Sequence, residues 1–234
     1  MSQQQSDKAE DARTREGERR RTILRAAIEV FASKGYHGCR IADVAKEAGV
    51  AYGLVYHYFK NKDELLETVF ETGWSGFINR VRAVVEGEGT LEEKVHRIVD
   101  VAFEAYRVDP RGVKVLIVEI ARGPGGRVNQ QATFTEAIKL CMQMLTQAQA
   151  SGELRADLDL QLAAALIFGN VEMAFTALVM GMVDTRDPEK MERARRQIAE
   201  SVLHGVYGRG AAAEVPWKKE QEKSATQSKA NKRS

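Results

Sequence analysis

Residues 40–66 read RIADVAKEAGVAYGLVYHYFKNKDELL. Ile41, Val44, Ala45 and Ala48 share one apolar face at helical spacing, and Leu54, Val55, Tyr58 and Phe59 share another. Two short helices are therefore expected on either side of Gly49. Ala45 is small where the helices would cross, Gly49 stands at a turn where a side chain is costly, and Val50 and Leu54 close the pair, which are the marks of a helix-turn-helix. In such a unit the second helix enters a major groove with its first turn at the base edges. That places Ala51, Tyr52 and Gly53 nearest the bases and Tyr56 and His57, one turn on, at backbone oxygens. A helical hairpin serving only as part of a bundle would have to house Tyr52, Tyr56, His57 and Tyr58 on a short helix with few inward positions.

The pattern stays helical outward in both directions. Ile23, Ala27, Val30 and Phe31 predict a helix over about 18–34, which Gly35 suits as a C-terminal cap. Asn61 is placed to cap a fourth helix carrying Leu65, Leu66, Val69 and Phe70, and Gly73, Gly76, Gly87 and Gly89 predict that this helix frays or bends before Thr90. Further helices are expected at about 90–107, 111–121, 128–151, 159–182 and 188–207, separated by Asp109-Pro110, GPGG at 123–126, SGELRAD at 151–157 and Asp187-Pro188. No alternating run is long enough for a convincing strand, so the chain reads as all-α. Residues 1–17 and 213–234 are polar, with little to bury, and are expected to be disordered arms.

With 44% hydrophobic and 29% charged residues, the 234-residue chain has enough apolar side chains for a substantial core. Its two cysteines, Cys39 and Cys141, form neither a disulfide framework nor a thiolate metal site, which favours a reducing compartment, and the amino-terminal stretch lacks the apolar core of a secretory signal; a cytoplasmic location is expected. Residues 160–183 have the length of a membrane span, yet Glu172 falls inside and no basic residue flanks Leu160. A helix apolar on nearly every side is instead expected to be covered by a second copy of the chain, as a homodimer with no membrane partner. The net charge of +2 divides into +4 over residues 1–62, −6 over 63–215 and +4 over 216–234, so a polyanion would be drawn to an end. His37, His57, His96, His204 and the cysteines form no triad or HExxH, and GPGGR at 123–127 lacks the ending of a phosphate loop. No catalytic residue, metal site, cofactor or enzymatic activity is expected.

GYHGCRIADVAKEAGVAYGLVYHYFKNKDELL, preceded by ILRAAIEVFASKG, resembles the DNA-binding domain of the TetR (tetracycline repressor) family of bacterial transcriptional regulators over about residues 20–70. SGELRADLDLQLAAALIFGNVEMAF at 151–175 resembles the part of many members where two C-terminal helices pair across a dimer. The resemblance implies an N-terminal three-helix DNA-binding domain at 18–64 and a C-terminal helical ligand-binding and dimerisation domain at 65–212. It implies a repressor that binds a palindromic double-stranded DNA operator and is released by a small effector. Carried over, Tyr56 and His57 match the pair that holds phosphate, Lys62 matches a phosphate-holding lysine, Arg40 falls where helix two often touches DNA, and Tyr52 falls on a variable base-reading position. Cys39 and Ala51 depart from the hydroxyl residues usual there, with a loss of about 0.5–2 kcal/mol each if capping were their only role.

Arg19, Arg20 and Arg21 form the one unmixed basic run of the arm, suited to phosphates or a minor groove, or equally to a solvated tail. In the body, Glu119 and Glu172 are carboxylates among apolar neighbours, each suited to an effector's polar group or to a structural ion pair. Phe103, Tyr106, Phe134, Met142, Phe168 and Phe175 supply adaptable apolar surface for an effector pocket, or simply core packing. The family includes regulators of fatty-acid metabolism that sense acyl-CoA and others that sense drugs, so acyl-CoA, a fatty acid or a drug-like molecule are the expected effector classes. The alternative from another class is a helical module that binds protein or lipid and uses its helix-turn-helix only as scaffold.

Overall fold

The computed structural model describes residues 2–121 and 130–207, with side chains over 14–118 and 135–206. Among the described residues all regular structure is helical: α1 (Ser2–Gly38), α2 (Ile41–Glu47), α3 (Tyr52–Tyr58), α4 (Lys62–Glu86), α5 (Leu91–Val108), α6 (Pro110–Ala121), α7 (Gln130–Ala150), α8 (Leu160–Val179) and α9 (Pro188–Tyr207). The tail expected over 213–234 and the turn at 123–126 lie outside the described residues. The arm expected to be disordered differs, because α1 begins at Ser2. Its Gln, Glu, Lys, Arg and Ala residues are good helix formers, and they extend the turn that the packed segment nucleates. The backbone leaves helical geometry at Gly35 (φ 68°, ψ 166°), where the sequence placed the cap.

Two cores form. Ile23, Ala27, Val30 and Phe31 of α1 close over Val44 and Ala45 of α2, Val55 of α3 and Phe59 behind it. Leu65, Leu66 and Val69 of α4 belong to this same head core, as does Val115 of α6. A domain boundary at 64/65 therefore cuts α4 too early: its first two turns complete the head, and the rest, from Phe70 to Val85, joins α5, α7, α8 and α9 in the body core.

The expected fraying of the fourth helix does not occur. α4 runs unbroken to Glu86, and Gly87 caps it with its N–H on the Ala83 carbonyl. Gly73 has a packing role, since a Cβ there would lie 3.3 Å from Leu116 Cδ1; its absence lets α6 approach α4 closely. Thr90 begins α5 with a capping box, its hydroxyl accepting from the Glu93 N–H and the Glu93 carboxylate accepting from the Thr90 N–H. Lys94 is buried, and its ammonium donates to the Val85 carbonyl at 2.8 Å and to Gln147 Oε1 at 3.1 Å, so it secures the last turn of α4 to α7.

α8 is the one helix among the described residues long and apolar enough to cross a membrane. It packs against α6, α7 and α9 through Ala163, Ala164, Ile167, Phe175 and Leu178, while Leu162, Leu166, Met173 and Met180 stand exposed on another side.

Candidate DNA-reading head and effector cavity

The turn between α2 and α3 closes by a paired cap. The Gly49 N–H donates to the Lys46 carbonyl and the Val50 N–H reaches back to Ala45, with Gly49 at φ 65°. This geometry fixes α3 against α2, burying Val55 and Phe59 and half-burying Tyr58. What remains outward is Ala51, Tyr52, Gly53, Tyr56 and His57, the set expected from the sequence. Tyr52 is 53% exposed and Tyr56 45%, large values for aromatics on a helix of seven residues. Their rings meet edge to face at 5.2 Å, and the two hydroxyls share a hydrogen bond at 3.2 Å. The hydrogen bond between the two phenols holds Tyr56 above its ordinary range. Around Gly53 there is open space, which leaves the first turn of α3 unobstructed.

Arg40 is exposed at the N-cap of α2; its N–H is accepted by Asp43, which also pairs with Lys34 at 2.7 Å. The Arg20 guanidinium lies over the Phe59 ring at 5.3 Å, and Arg21 Nε donates to the Gly17 carbonyl; both arginines are exposed. Lys62 differs from the expectation of a phosphate-holding side chain. Its ammonium donates to the Tyr36 carbonyl at 2.7 Å and the Cys39 carbonyl at 3.0 Å, and sits 4.1 Å from the centre of the Tyr36 ring. Cys39 is buried, and burial pushes its thiol up.

Ala51 is the N-cap of α3 and supplies no side-chain cap. Ala51→Ser is accordingly expected to stabilise the protein by about 0.5–2 kcal/mol, read as a higher urea midpoint with unchanged slope. An unshifted midpoint would show that the cap carries no stability here.

The second feature is a cavity of about 400 Å³, within the usual size of a small-molecule site. Trp74, Phe77, Ile78 and Val81 of α4, Leu116 and Ile117 of α6, Cys141 of α7, and Ile167, Phe168, Val171, Glu172 and Phe175 of α8 line it. Trp74, Phe77 and Phe175 form a continuous aromatic wall, with centroids 5.9 Å and 5.7 Å apart along it. Leu24 and Ile28 of α1 also line the cavity, so an occupant touches the head directly. The same α1–α6 seam is held by the Glu29–Arg111 ion pair and by Lys114 Nζ donating to the Ala32 carbonyl at 2.7 Å.

Of the residues expected around an effector, Phe168, Glu172 and Phe175 are in this wall. Phe103 and Met142 instead pack in and against the body core, and the Tyr106 hydroxyl donates to the Leu178 carbonyl at 3.3 Å. Glu119 and Phe134 lie outside the described side chains. The sequence reading missed Trp74, Phe77, Leu116 and Cys141. Gly76 on α4 was the available signal, since a small residue on one face of a packed helix leaves room beside it.

A three-helix head with an outward aromatic recognition helix, seated on a helical body that encloses an apolar cavity, defines a ligand-responsive DNA-binding regulator. Residues 23–69 match the family of bacterial regulatory proteins designated tetR, and residues 70–193 match the C-terminal region of YsiA-like proteins. The chain belongs to the TetR family. The junction between the two matches falls within α4, where the head core gives way to the body core.

The chain is 32% identical over 162 residues to the fatty acid metabolism regulator protein of Bacillus subtilis (strain 168), covering 68% of this chain and 82% of that one. It is 30% identical over 201 residues to the HTH-type transcriptional regulator CymR of Pseudomonas putida, covering 86% and 95%. Among solved structures it is similar to the transcriptional regulator FadR from Bacillus subtilis in complex with stearoyl-CoA, with a TM-score of 0.68 and 28% identity over 79% of this chain and 98% of that one. Regulators of this family bind operator DNA as dimers, act as repressors and respond to small effectors. That function fits this chain; a helical interaction module without specific DNA binding does not.

Proposed function

We propose that this chain represses transcription by holding a palindromic operator as a dimer, and that a long-chain acyl-CoA thioester filling the cavity releases it. The reading rests chiefly on the cavity: about 400 Å³, walled by aromatic and aliphatic side chains, and bounded by α1 of the head as well as by α4, α6, α7 and α8 of the body. It is supported by the similarity to a Bacillus subtilis fatty acid metabolism regulator and to a solved relative holding stearoyl-CoA. An occupant that fits only one spacing of α1 against α4 and α6 shifts the protein toward that spacing, by no more than its difference in affinity for the two.

In this reading Ala51, Tyr52 and Gly53 meet base edges, and Arg40, Tyr56 and His57 hold the backbone, with Arg20 and Arg21 reaching adjacent phosphates. The protein acts by binding alone, without catalysis, in the cytoplasm on the nucleoid. The test is a duplex selected from random sequence by the purified protein and then titrated with palmitoyl-CoA. Release of the duplex by palmitoyl-CoA but not by free coenzyme A is expected, and DNA affinity should fall by orders of magnitude between low and high salt. A selected duplex without two-fold symmetry, or a complex indifferent to palmitoyl-CoA, would overturn the assignment.

A further inference from the structure

Among the described residues the cavity wall contains two carboxylates, and they differ in how they are satisfied. Asp109 Oδ1 accepts from the Gly112 N–H at 2.7 Å, so it is an ordinary helix cap. Glu172 has no hydrogen bond to its carboxylate and no ion pair among the described residues. Its companions in the α8 wall are Phe168, Val171 and Phe175, and burial among them pushes the carboxyl above its usual range, with no neighbouring charge contributing. Arg80, the cation of the wall among the described residues, is exposed and forms no ion pair with it. A carboxylate kept half-buried without a partner costs stability, and a ligand that supplies the missing donor recovers that cost.

We propose that Glu172 sets the effector class: it admits an acyl compound whose buried part is uncharged and offers an O–H or N–H donor, and it rejects a free carboxylic acid. The inference rests on the acyl-effector reading above. A free fatty acid would bring a second negative charge into an apolar cavity where no cation is paired with the first, and like charges there are strongly disfavoured. The pantetheine arm of a CoA thioester carries no charge and presents amide N–H groups and a hydroxyl, either of which satisfies Glu172.

The experiment uses the full chain carrying Trp217→Phe, so that Trp74 in the cavity wall is the remaining indole and its fluorescence reports occupancy. Palmitoyl-CoA and palmitate, each below its micelle concentration, are titrated into this protein and into its Glu172→Gln and Glu172→Leu variants. Preference for palmitoyl-CoA should be at least about tenfold with Glu172 and should shrink by about tenfold in Glu172→Gln, through tighter palmitate binding. Glu172→Gln keeps an acceptor and should bind palmitoyl-CoA within about threefold of the parent, whereas Glu172→Leu should lose about tenfold. Thermal melts and sedimentation establish that each variant is folded and dimeric.

A preference unchanged in Glu172→Gln, undiminished palmitoyl-CoA binding by Glu172→Leu, or a change that merely tracks dimer dissociation would overturn the inference while leaving the acyl-effector reading standing. Failure of the parent protein to bind either compound would overturn both.

Discussion

Replacing Leu166 and Met173 together with aspartate is expected to convert the protein to a monomer and to lower operator affinity by about 10²–10⁴-fold. Both side chains stand on the uncovered side of α8, 59% and 66% exposed, in line with Leu162 and Met180. In one chain alone this is a contiguous apolar stripe with nothing over it, of the kind that marks an interface in a soluble protein. A two-fold contact places each carboxylate against the partner's apolar stripe, so one double substitution buries four unpaired charges, and removal of water from them costs far more than the lost contacts. The fold of each chain should survive, because neither residue enters the body core. Circular dichroism checks the fold, sedimentation velocity the assembly, and fluorescence anisotropy the affinity for a two-half-site duplex. The steep loss follows because a monomer places one head at a time on DNA and forfeits the effective concentration of the second. A variant that sediments as a dimer would place the two-fold seam elsewhere.

This stripe also shows what periodicity reveals and where it stops. That α8 is apolar nearly all round was readable from its residues, and so was the need for a cover on every side; which side faced its own chain required the packing of α6, α7 and α9. The head was more legible. Ile23, Ala27, Val30 and Phe31 at helical spacing, with Gly49 at a turn that demands positive φ, leave little freedom in how α1 to α3 close, and the outward set on α3 followed from what was left.

The effector cavity was legible only in part, because spacing tells that a side chain points inward but not whether it meets another side chain or a void. Phe103 and Phe168 have the same character in the sequence; the first fills the body core and the second borders the cavity. Lys94 was illegible for a related reason. A lysine among polar neighbours reads as surface, and only the convergence of the α4 C-terminus and Gln147 upon it explains its burial.

Lys62→Met is expected to destabilise the head by about 2–4 kcal/mol, a larger effect than a surface phosphate contact would leave. Lys62 opens α4, where a cation is unfavourable beside the helix's positive end, yet its ammonium is turned to the Tyr36 and Cys39 carbonyls beyond the break in α1 at Gly35. Those carbonyls follow the break at Gly35, where the end of α1 turns toward α4. The lysine supplies two charge-assisted hydrogen bonds and a ring contact with Tyr36, whose hydroxyl is in turn accepted by Asp63 on α4. Methionine keeps the stem and removes every donor, so α1 and α4 lose the lysine's hydrogen bonds while the Tyr36–Asp63 hydrogen bond and the apolar packing of Phe59, Leu65 and Leu66 stay.

The two roles for this residue separate cleanly by measurement. A lysine committed to the α1–α4 junction gives a lower urea midpoint and, under conditions where the variant is still folded, an unchanged slope of log affinity against log salt for nonspecific duplex DNA. A lysine held on phosphate gives the reverse: unchanged stability and a slope shallower by about one contact. The hydrogen bonds at 2.7 Å and 3.0 Å favour the first, because reaching a phosphate would break both of them at the moment of binding.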